Sequence, residues 1–215
     1  MGGGFVATVL GAIAIVFGTG QAEAARAEIK TFHEGPRPLY SAPRKGLYAI
    51  GTAEASGDLI TIINGNVHVA FPVDKKTIKT ENSIKTIAKT LTYVNVNLWT
   101  EVPLSKDLVS RDSLHTLVNA TLKSLGYELS GMFPVLMKGR FASIDFRLGP
   151  ETKPMKFSDK NVSGFIFGFF HRTGDAPDFK STTVLHFVSE DGKRSGLVEA
   201  VKILGRDKVT LFMAK

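Results

Sequence analysis

The chain has 215 residues, of which 43% are hydrophobic and 22% charged; this composition excludes an intrinsically disordered protein and allows a substantial folded core. It contains no cysteine, which excludes disulfides and thiol chemistry. The formal net charge is +7, but the 27 basic residues are spread along the chain and form no block. This distribution favours a solvated basic surface over a nucleic-acid-binding patch, so we expect no nucleic-acid partner.

The first 24 residues have the pattern of an export signal. Residues 5–17 are an uninterrupted apolar run, and Ala22-Glu23-Ala24 then supplies an Ala-x-Ala cleavage site. The run is short for a membrane span, although the segment before it carries no lysine or arginine. We therefore expect an exported protein, periplasmic or secreted, with no stable membrane span after cleavage. The alternative is an uncleaved anchor embedded in lipid.

Residues 25–46 are polar and rich in proline, with Pro36, Pro38 and Pro43 interrupting any regular pattern. Such a composition predicts a flexible arm that precedes the folded part. A single folded domain is expected over residues 47–215.

The first half of that domain shows strand signals and one helix signal. Residues 47–52 predict a strand, and residues 58–63 and 67–72 flank Asn64-Gly65, a strong hairpin signal. Residues 83–91 predict a helix because apolar residues recur there at helical spacing, and residues 91–99 alternate like a half-buried strand.

The clearest predicted helix covers residues 111–125. Ser110 is a candidate N-cap and Gly126 is placed to end the helix. His115 lies off the apolar stripe and is expected to face solvent. The stripe consists of Leu114, Leu117, Val118, Thr121, Leu122 and Leu125.

The last part of the chain predicts three strands, at residues 165–170, 182–188 and 197–204, with a hairpin turn at Asp191-Gly192. Side chains two residues apart share one face of a strand. Val184 and His186 are therefore expected to point the same way, and Leu197 to lie opposite them on the returning strand.

These segments resemble the α-acetolactate decarboxylase family. The family's His-Leu-His-Phe segment corresponds to Val184-Leu185-His186-Phe187, and its Gly-Gly-His-Val segment to Ser195-Gly196-Leu197-Val198. In that family the three histidines hold zinc. The chain keeps His186 alone, and one imidazole does not hold a catalytic zinc ion.

Two further segments carry the resemblance. Residues 63–67 resemble a family segment whose glutamate lies at the active site, and Asn66 stands at that position. Residues 146–150 resemble a segment whose arginine contacts the substrate's carboxylate, and here that arginine is Arg147. A guanidinium is well suited to bind a carboxylate.

The resemblance implies an α+β fold with mixed or antiparallel sheets, a barrel-like C-terminal half and a few packing helices. It implies no metal site, with His186 the only retained ligand position. A rebuilt zinc site would draw on His186, His171 and Glu199. The expected catalytic residues are Arg147 and Glu199, and the expected ligand-binding residues are His186, Arg147, Asn66, Val184 and Leu197.

Two hypotheses of function follow. The first is an exported relative of acetolactate decarboxylase that binds a small molecule, such as a carboxylate, and uses no cofactor. The alternative is an enzyme, either an acetolactate decarboxylase with a relocated zinc site or a metal-free lyase of a related carbonyl acid. In the family, zinc acts as a Lewis acid that stabilises the charge left when carbon dioxide departs. The family's habit of dimerising favours a homodimer.

Overall fold

The computed structural model describes residues 29–32, 37–39, 45–54, 57–83, 85–104, 107–127, 131–172 and 182–214. They form two β-sheets and one helix. The strands of the first sheet are β1 (Ile29–Phe32), β2 (Arg37–Pro38), β3 (Leu47–Ala53), β4 (Leu59–Ile63), β5 (Asn66–Pro72), β6 (Ile78–Glu81) and β7 (Ile87–Asn95). The remaining elements are β8 (Trp99–Pro103), α1 (Arg111–Ser124), β9 (Gly131–Leu148), β10 (Met155–Arg172), β11 (Thr182–Ser189), β12 (Ser195–Lys202) and β13 (Val209–Ala214).

The first sheet has the strand order β1-β7-β3-β4-β5-β6 and is antiparallel, with β2 paired to the end of β7. The hairpin predicted at Asn64-Gly65 is confirmed between β4 and β5. Both turn residues have positive φ, 49° for Asn64 and 83° for Gly65. A two-residue hairpin turn of this type needs positive φ at both positions, which asparagine and glycine tolerate.

The arm that precedes the folded domain contributes to this sheet. β1 pairs with residues 91–94 of β7, and β2 pairs with Ala88 and Ile87. The Leu39 backbone N–H donates to the Thr86 carbonyl at 3.0 Å, and the Leu39 side chain is buried. The described part of residues 25–46, which the sequence predicted to be a flexible arm, is therefore paired with the sheet. The predicted signal, residues 1–24, lies outside the described residues.

The helix predicted over residues 83–91 is wrong, because residues 87–95 form the strand β7. A β-bulge explains the error: Thr52 pairs with Thr90, but Ala53 pairs with Ala88, so Lys89 is an extra residue. The bulge changes the spacing of buried residues on one face of β7 from two to three. Ala88 and Leu91 are both buried in one cluster, three residues apart, and this spacing imitates a helix.

The second sheet closes on itself in the C-terminal half. β9 is 18 residues long and pairs along one side with β10. Its other side pairs first with β13 and then with β12. Because β11 joins β10 to β12, the strands β9, β10, β11 and β12 form a closed ring. The predicted barrel-like C-terminal half and antiparallel sheets are confirmed.

The two sheets pack face to face. Tyr48, Ile50 and Val94 of the first sheet form one buried cluster with Phe167 and Val188 of the second sheet. The opposite face of the second sheet lies in the barrel interior and against α1. A separate buried cluster fills this opposite side, and its largest fully buried side chains are Leu114, Leu122, Met137, Phe141, Ile144, Phe146, Leu148, Phe170 and Phe187.

The helix α1 follows the prediction closely. The Ser110 hydroxyl accepts a hydrogen bond from the Ser113 backbone N–H at 3.1 Å, which is an N-cap, and Gly126 has a φ of 75° just beyond the end. His115, predicted to face solvent, is half-buried: its Nε2 is 2.8 Å from the Thr183 hydroxyl, and its ring meets Phe170 edge-to-face. Within the described ranges, no helix has the length and apolarity needed to cross a membrane.

Replacing Phe187 with alanine tests the barrel core. The ring is fully buried and packs 5.6 Å from the Phe146 ring. Because its removal leaves a cavity, we expect Phe187→Ala to lower the free energy of unfolding by about 3–5 kcal/mol in urea denaturation. The control Val109→Ala, at a side chain that is 62% exposed, should change it by less than about 0.5 kcal/mol. Equal losses in the two variants would contradict this description of the core.

Candidate functional site

A pocket of about 510 Å³ opens between the two sheets. Its barrel side combines residues of β9, β10, β11 and β12, and its other wall comes from β3, β4 and β7. Arg147, Leu197 and His186 lie in one cross-strand row, since Leu197 pairs with both of the others. With strands about 4.8 Å apart, the row spans about 10 Å between the α-carbons of Arg147 and His186. This is the length of a small ligand.

His186 is the polar residue at the inner end of this row. Its side chain is buried, and its Nδ1 lies 2.9 Å from the hydroxyl of Thr61, which is itself fully buried on β4. Burial lowers the pKa of His186 to about 4, and a hydrogen bond with the Ile60 backbone acts in the opposite direction. The imidazole is therefore neutral at ordinary pH and links the two sheets.

The two positions beside His186 carry hydrocarbon. Leu197 is its direct partner on β12, and Val184 precedes it by two residues on the same face of β11. Val184 is 45% exposed, so its side chain borders the mouth of the pocket. The predicted arrangement of these three side chains is confirmed. Only one of them, His186, could donate a nitrogen to a metal ion.

This donor set does not fit a zinc ion. A zinc site needs at least three nitrogen, sulfur or carboxylate donors around a common point. In the part of the chain that the structure describes, no three histidine, aspartate or glutamate side chains are grouped to hold a metal. His186, His171 and Glu199, the residues considered for a rebuilt site, form no such group.

Arg147 and Lys89 are cationic side chains that line the pocket, and Arg147 lies in the cross-strand row. Its side chain is 20% exposed, and it lies 3.6 Å from both Glu199 and Glu151. These distances exceed ordinary hydrogen-bond lengths, so the contacts are ionic and leave the guanidinium loosely held. Glu199 also lies 3.1 Å from the Lys156 ammonium. Arg147 and Glu151 line the pocket, whereas Glu199 lies outside it as an ionic neighbour of Arg147.

Asn66 lies away from these residues. It lines a second pocket, of about 640 Å³, together with His68. The structure therefore brings His186, Arg147, Val184 and Leu197 together around one pocket and leaves Asn66 outside it.

Sequence reasoning missed the wall that faces the row. Thr52 and Thr90, whose hydroxyls are 2.8 Å apart, line this wall with Ile50, and Gly57 and Leu59 line it at the start of β4. Thr90 could not be assigned to it because its segment was predicted to be a helix. The alternation of Tyr48, Ile50 and Thr52 along a strand is the signal that could have found part of the wall.

The architecture is that of a known class of protein. Among solved structures, the chain is similar to α-acetolactate decarboxylase from Bacillus subtilis strain 168, with 17% identity, a TM-score of 0.63, and 85% of this chain and 79% of that chain covered. It is similar to acetolactate decarboxylase from Bacillus subtilis subspecies spizizenii, with 15% identity, a TM-score of 0.64 and the same coverage. A Staphylococcus aureus protein of unknown function, described as similar to α-acetolactate decarboxylase, matches with 16% identity, a TM-score of 0.63, and 86% and 80% covered.

The chain therefore has the acetolactate decarboxylase fold, and the resemblance seen in the sequence is confirmed at the level of fold. No protein-family model matches the sequence, and no curated protein shows significant similarity to it. At this level of identity, the similarity establishes the architecture and leaves the activity to the chemistry of the site.

The buried imidazole predicts a dependence of stability on pH. The ordinary pKa of 6.5 applies to His186 in the unfolded chain, and about 4 applies in the folded protein. Between these values the unfolded state binds more protons, so stability falls as the pH drops from about 6.5 to about 4. We expect His186 to contribute a loss of roughly 3 kcal/mol over this range. Urea titrations at several pH values should show that His186→Leu lacks this component; an unchanged pH profile would contradict the assignment.

The geometry also predicts that two substitutions create a metal site. In Val184→His/Leu197→His, the new imidazoles flank His186 on one face, across distances of about 5–7 Å that a tetrahedral zinc ion can bridge. We expect the double variant to bind one zinc per chain in equilibrium dialysis, and each single variant much less. A double variant that binds no more zinc than the unmodified protein would show that these three positions do not converge.

Proposed function

We propose that this protein binds a small carboxylate ligand in the pocket between the sheets and does not decarboxylate it. The observation that carries the proposal is the row Arg147–Leu197–His186. The row presents the guanidinium of Arg147 at one end, the apolar side chain of Leu197 in the middle and the neutral imidazole of His186, which can form a hydrogen bond, at the other end. A ligand with a carboxylate, a short branched body and a carbonyl or hydroxyl group complements this order.

Charge and polarity around the pocket support an anionic ligand. The side chains that line it include the cations Arg147 and Lys89 against the single carboxylate of Glu151. Ile50, Met132 and Phe169 supply apolar surface for the body of the ligand. A guanidinium that faces a partly desolvated pocket binds a carboxylate more strongly than it would in water.

The donor set argues against acetolactate decarboxylation by the family's chemistry. That chemistry stabilises a developing negative charge with a divalent cation, and here Val184 and Leu197 stand at two of the three positions that would hold it. The neutral His186 ring donates at most a hydrogen bond. The decarboxylase activity of the neighbours named above therefore does not transfer to this site.

Export and dimerisation belong to this proposal. The apolar run of residues 5–17 and the Ala22-Glu23-Ala24 site support secretion or periplasmic targeting. The habit of the resembled family supports a homodimer.

Arg147→Met tests the ligand class. The probes are isovalerate and its uncharged amide, isovaleramide, which match in shape and differ in charge. Loss of a charge-assisted contact worth about 1.5–3 kcal/mol should weaken isovalerate binding by roughly 10- to 150-fold in calorimetry, with little effect on isovaleramide. Arg140→Met is the matched control, since Arg140 lies on the same strand and its side chain does not line the pocket.

Two outcomes would contradict the proposal. One is equal binding of isovalerate by the unmodified protein and Arg147→Met, which would place the carboxylate elsewhere. The other is sustained formation of acetoin from acetolactate by the purified protein, which would favour the enzyme hypothesis.

A further inference from the structure

The second pocket lies at the other end of the same layer between the sheets. β3 contributes Tyr48 to it, whereas Ile50 and Thr52 line the first pocket. β11 likewise contributes Val188 to the second pocket and His186 to the first. The two cavities are therefore distinct, and the proposed carboxylate site does not use the second one.

Aromatic rings form the walls of the second pocket. Trp99 meets Tyr48 edge-to-face at 5.1 Å between ring centres and meets Phe212 at 6.5 Å. Phe165 lines the pocket from β10, and Ile63 and Leu136 are buried beneath these rings. The faces of aromatic rings carry partial negative charge, so a pocket with such walls attracts cations as well as apolar groups.

The rim of this pocket is negatively charged. Glu101, Glu190 and Asp191 line it, against the single cation Lys138. Burial lowers the pKa of His68, which disfavours a positive charge on its ring. The charge balance is thus opposite in sign to that of the first pocket, where Arg147 and Lys89 outnumber Glu151.

The chain itself shows that one wall accepts an ammonium group. The Lys138 Nζ lies over the Phe165 ring, 5.6 Å from its centre. That distance is within the range of a cation–π contact. A ligand cation would compete with Lys138 for this ring face and would also meet three further aromatic walls and a carboxylate rim.

We propose that the second pocket is a binding site for a small organic cation, an ammonium group with short apolar substituents. The aromatic walls receive the substituted ammonium, and the carboxylates of the rim supply long-range attraction. A strongly hydrated metal ion is not the expected occupant, because no three acidic or histidine side chains in the described ranges are grouped to coordinate one.

Trp99 makes the test direct, because it is the only tryptophan in the chain and it lines this pocket. The probes are choline and its uncharged carbon isostere, 3,3-dimethylbutan-1-ol. We expect choline to produce a saturable change in Trp99 fluorescence and in its indole NMR signal. The uncharged alcohol should bind at least about tenfold more weakly, as expected for a cation–π contact that gains Coulomb attraction.

Substitutions at the surface separate the contributions of the rim carboxylates and of Lys138 to choline binding, without disturbing the core. Glu101→Gln/Glu190→Gln should weaken choline binding several-fold, and Lys138→Met should strengthen it by removing a competing ammonium group. Arg147→Met, in the first pocket, should leave choline binding unchanged, so this proposal and the proposed function succeed or fail separately. Equal binding of the two probes, or no saturable change with choline in either the unmodified protein or Lys138→Met, would overturn the proposal.

Discussion

The candidate site depends on one buried polar contact, the hydrogen bond between the Thr61 hydroxyl and His186 Nδ1. Both side chains lie in the layer between the sheets, where an unpaired polar group would be costly. The contact pairs the Thr61 hydroxyl with the Nδ1 atom of His186 and helps to fix the orientation of the ring. Burial keeps the imidazole neutral, because protonation would place a charge in an apolar layer.

This contact gives His186 a structural role that needs no metal. The same ring that would be one of three ligands in the resembled family instead joins β11 to β4, and hydrocarbon occupies the neighbouring positions. The pocket contains an arginine, which suits a carboxylate, and its described residues include no group of donors that would hold a cation to stabilise a carbanion. We therefore propose binding without decarboxylation.

The sequence was sufficient to predict the structure of segments in which the local pattern and the tertiary structure agree. The Asn64-Gly65 turn, the capped helix after Ser110 and the hairpin that pairs His186 with Leu197 all follow from local chemistry. The fold class came from the order of family-like segments. The structural neighbours support it although identity is only 15–17%.

The sequence failed where long-range pairing decides the outcome. The bulge at Lys89 changes the burial spacing of β7 from two to three, and no local signal separates this from a helix. The proline-rich segment looked irregular because its strands are short and rely on β7 for their hydrogen bonds. Asn66 was grouped with His186 through the resemblance alone, and only the three-dimensional structure shows that it lines a different pocket.

Native mass spectrometry of the protein purified without chelators tests the central claim most directly, because it weighs the folded chain together with whatever it holds. We expect the dominant species to carry no zinc and to have the mass of the polypeptide alone or with a small organic ligand. A dominant species with one zinc ion per chain, removed by a chelator with loss of acetoin formation, would contradict it.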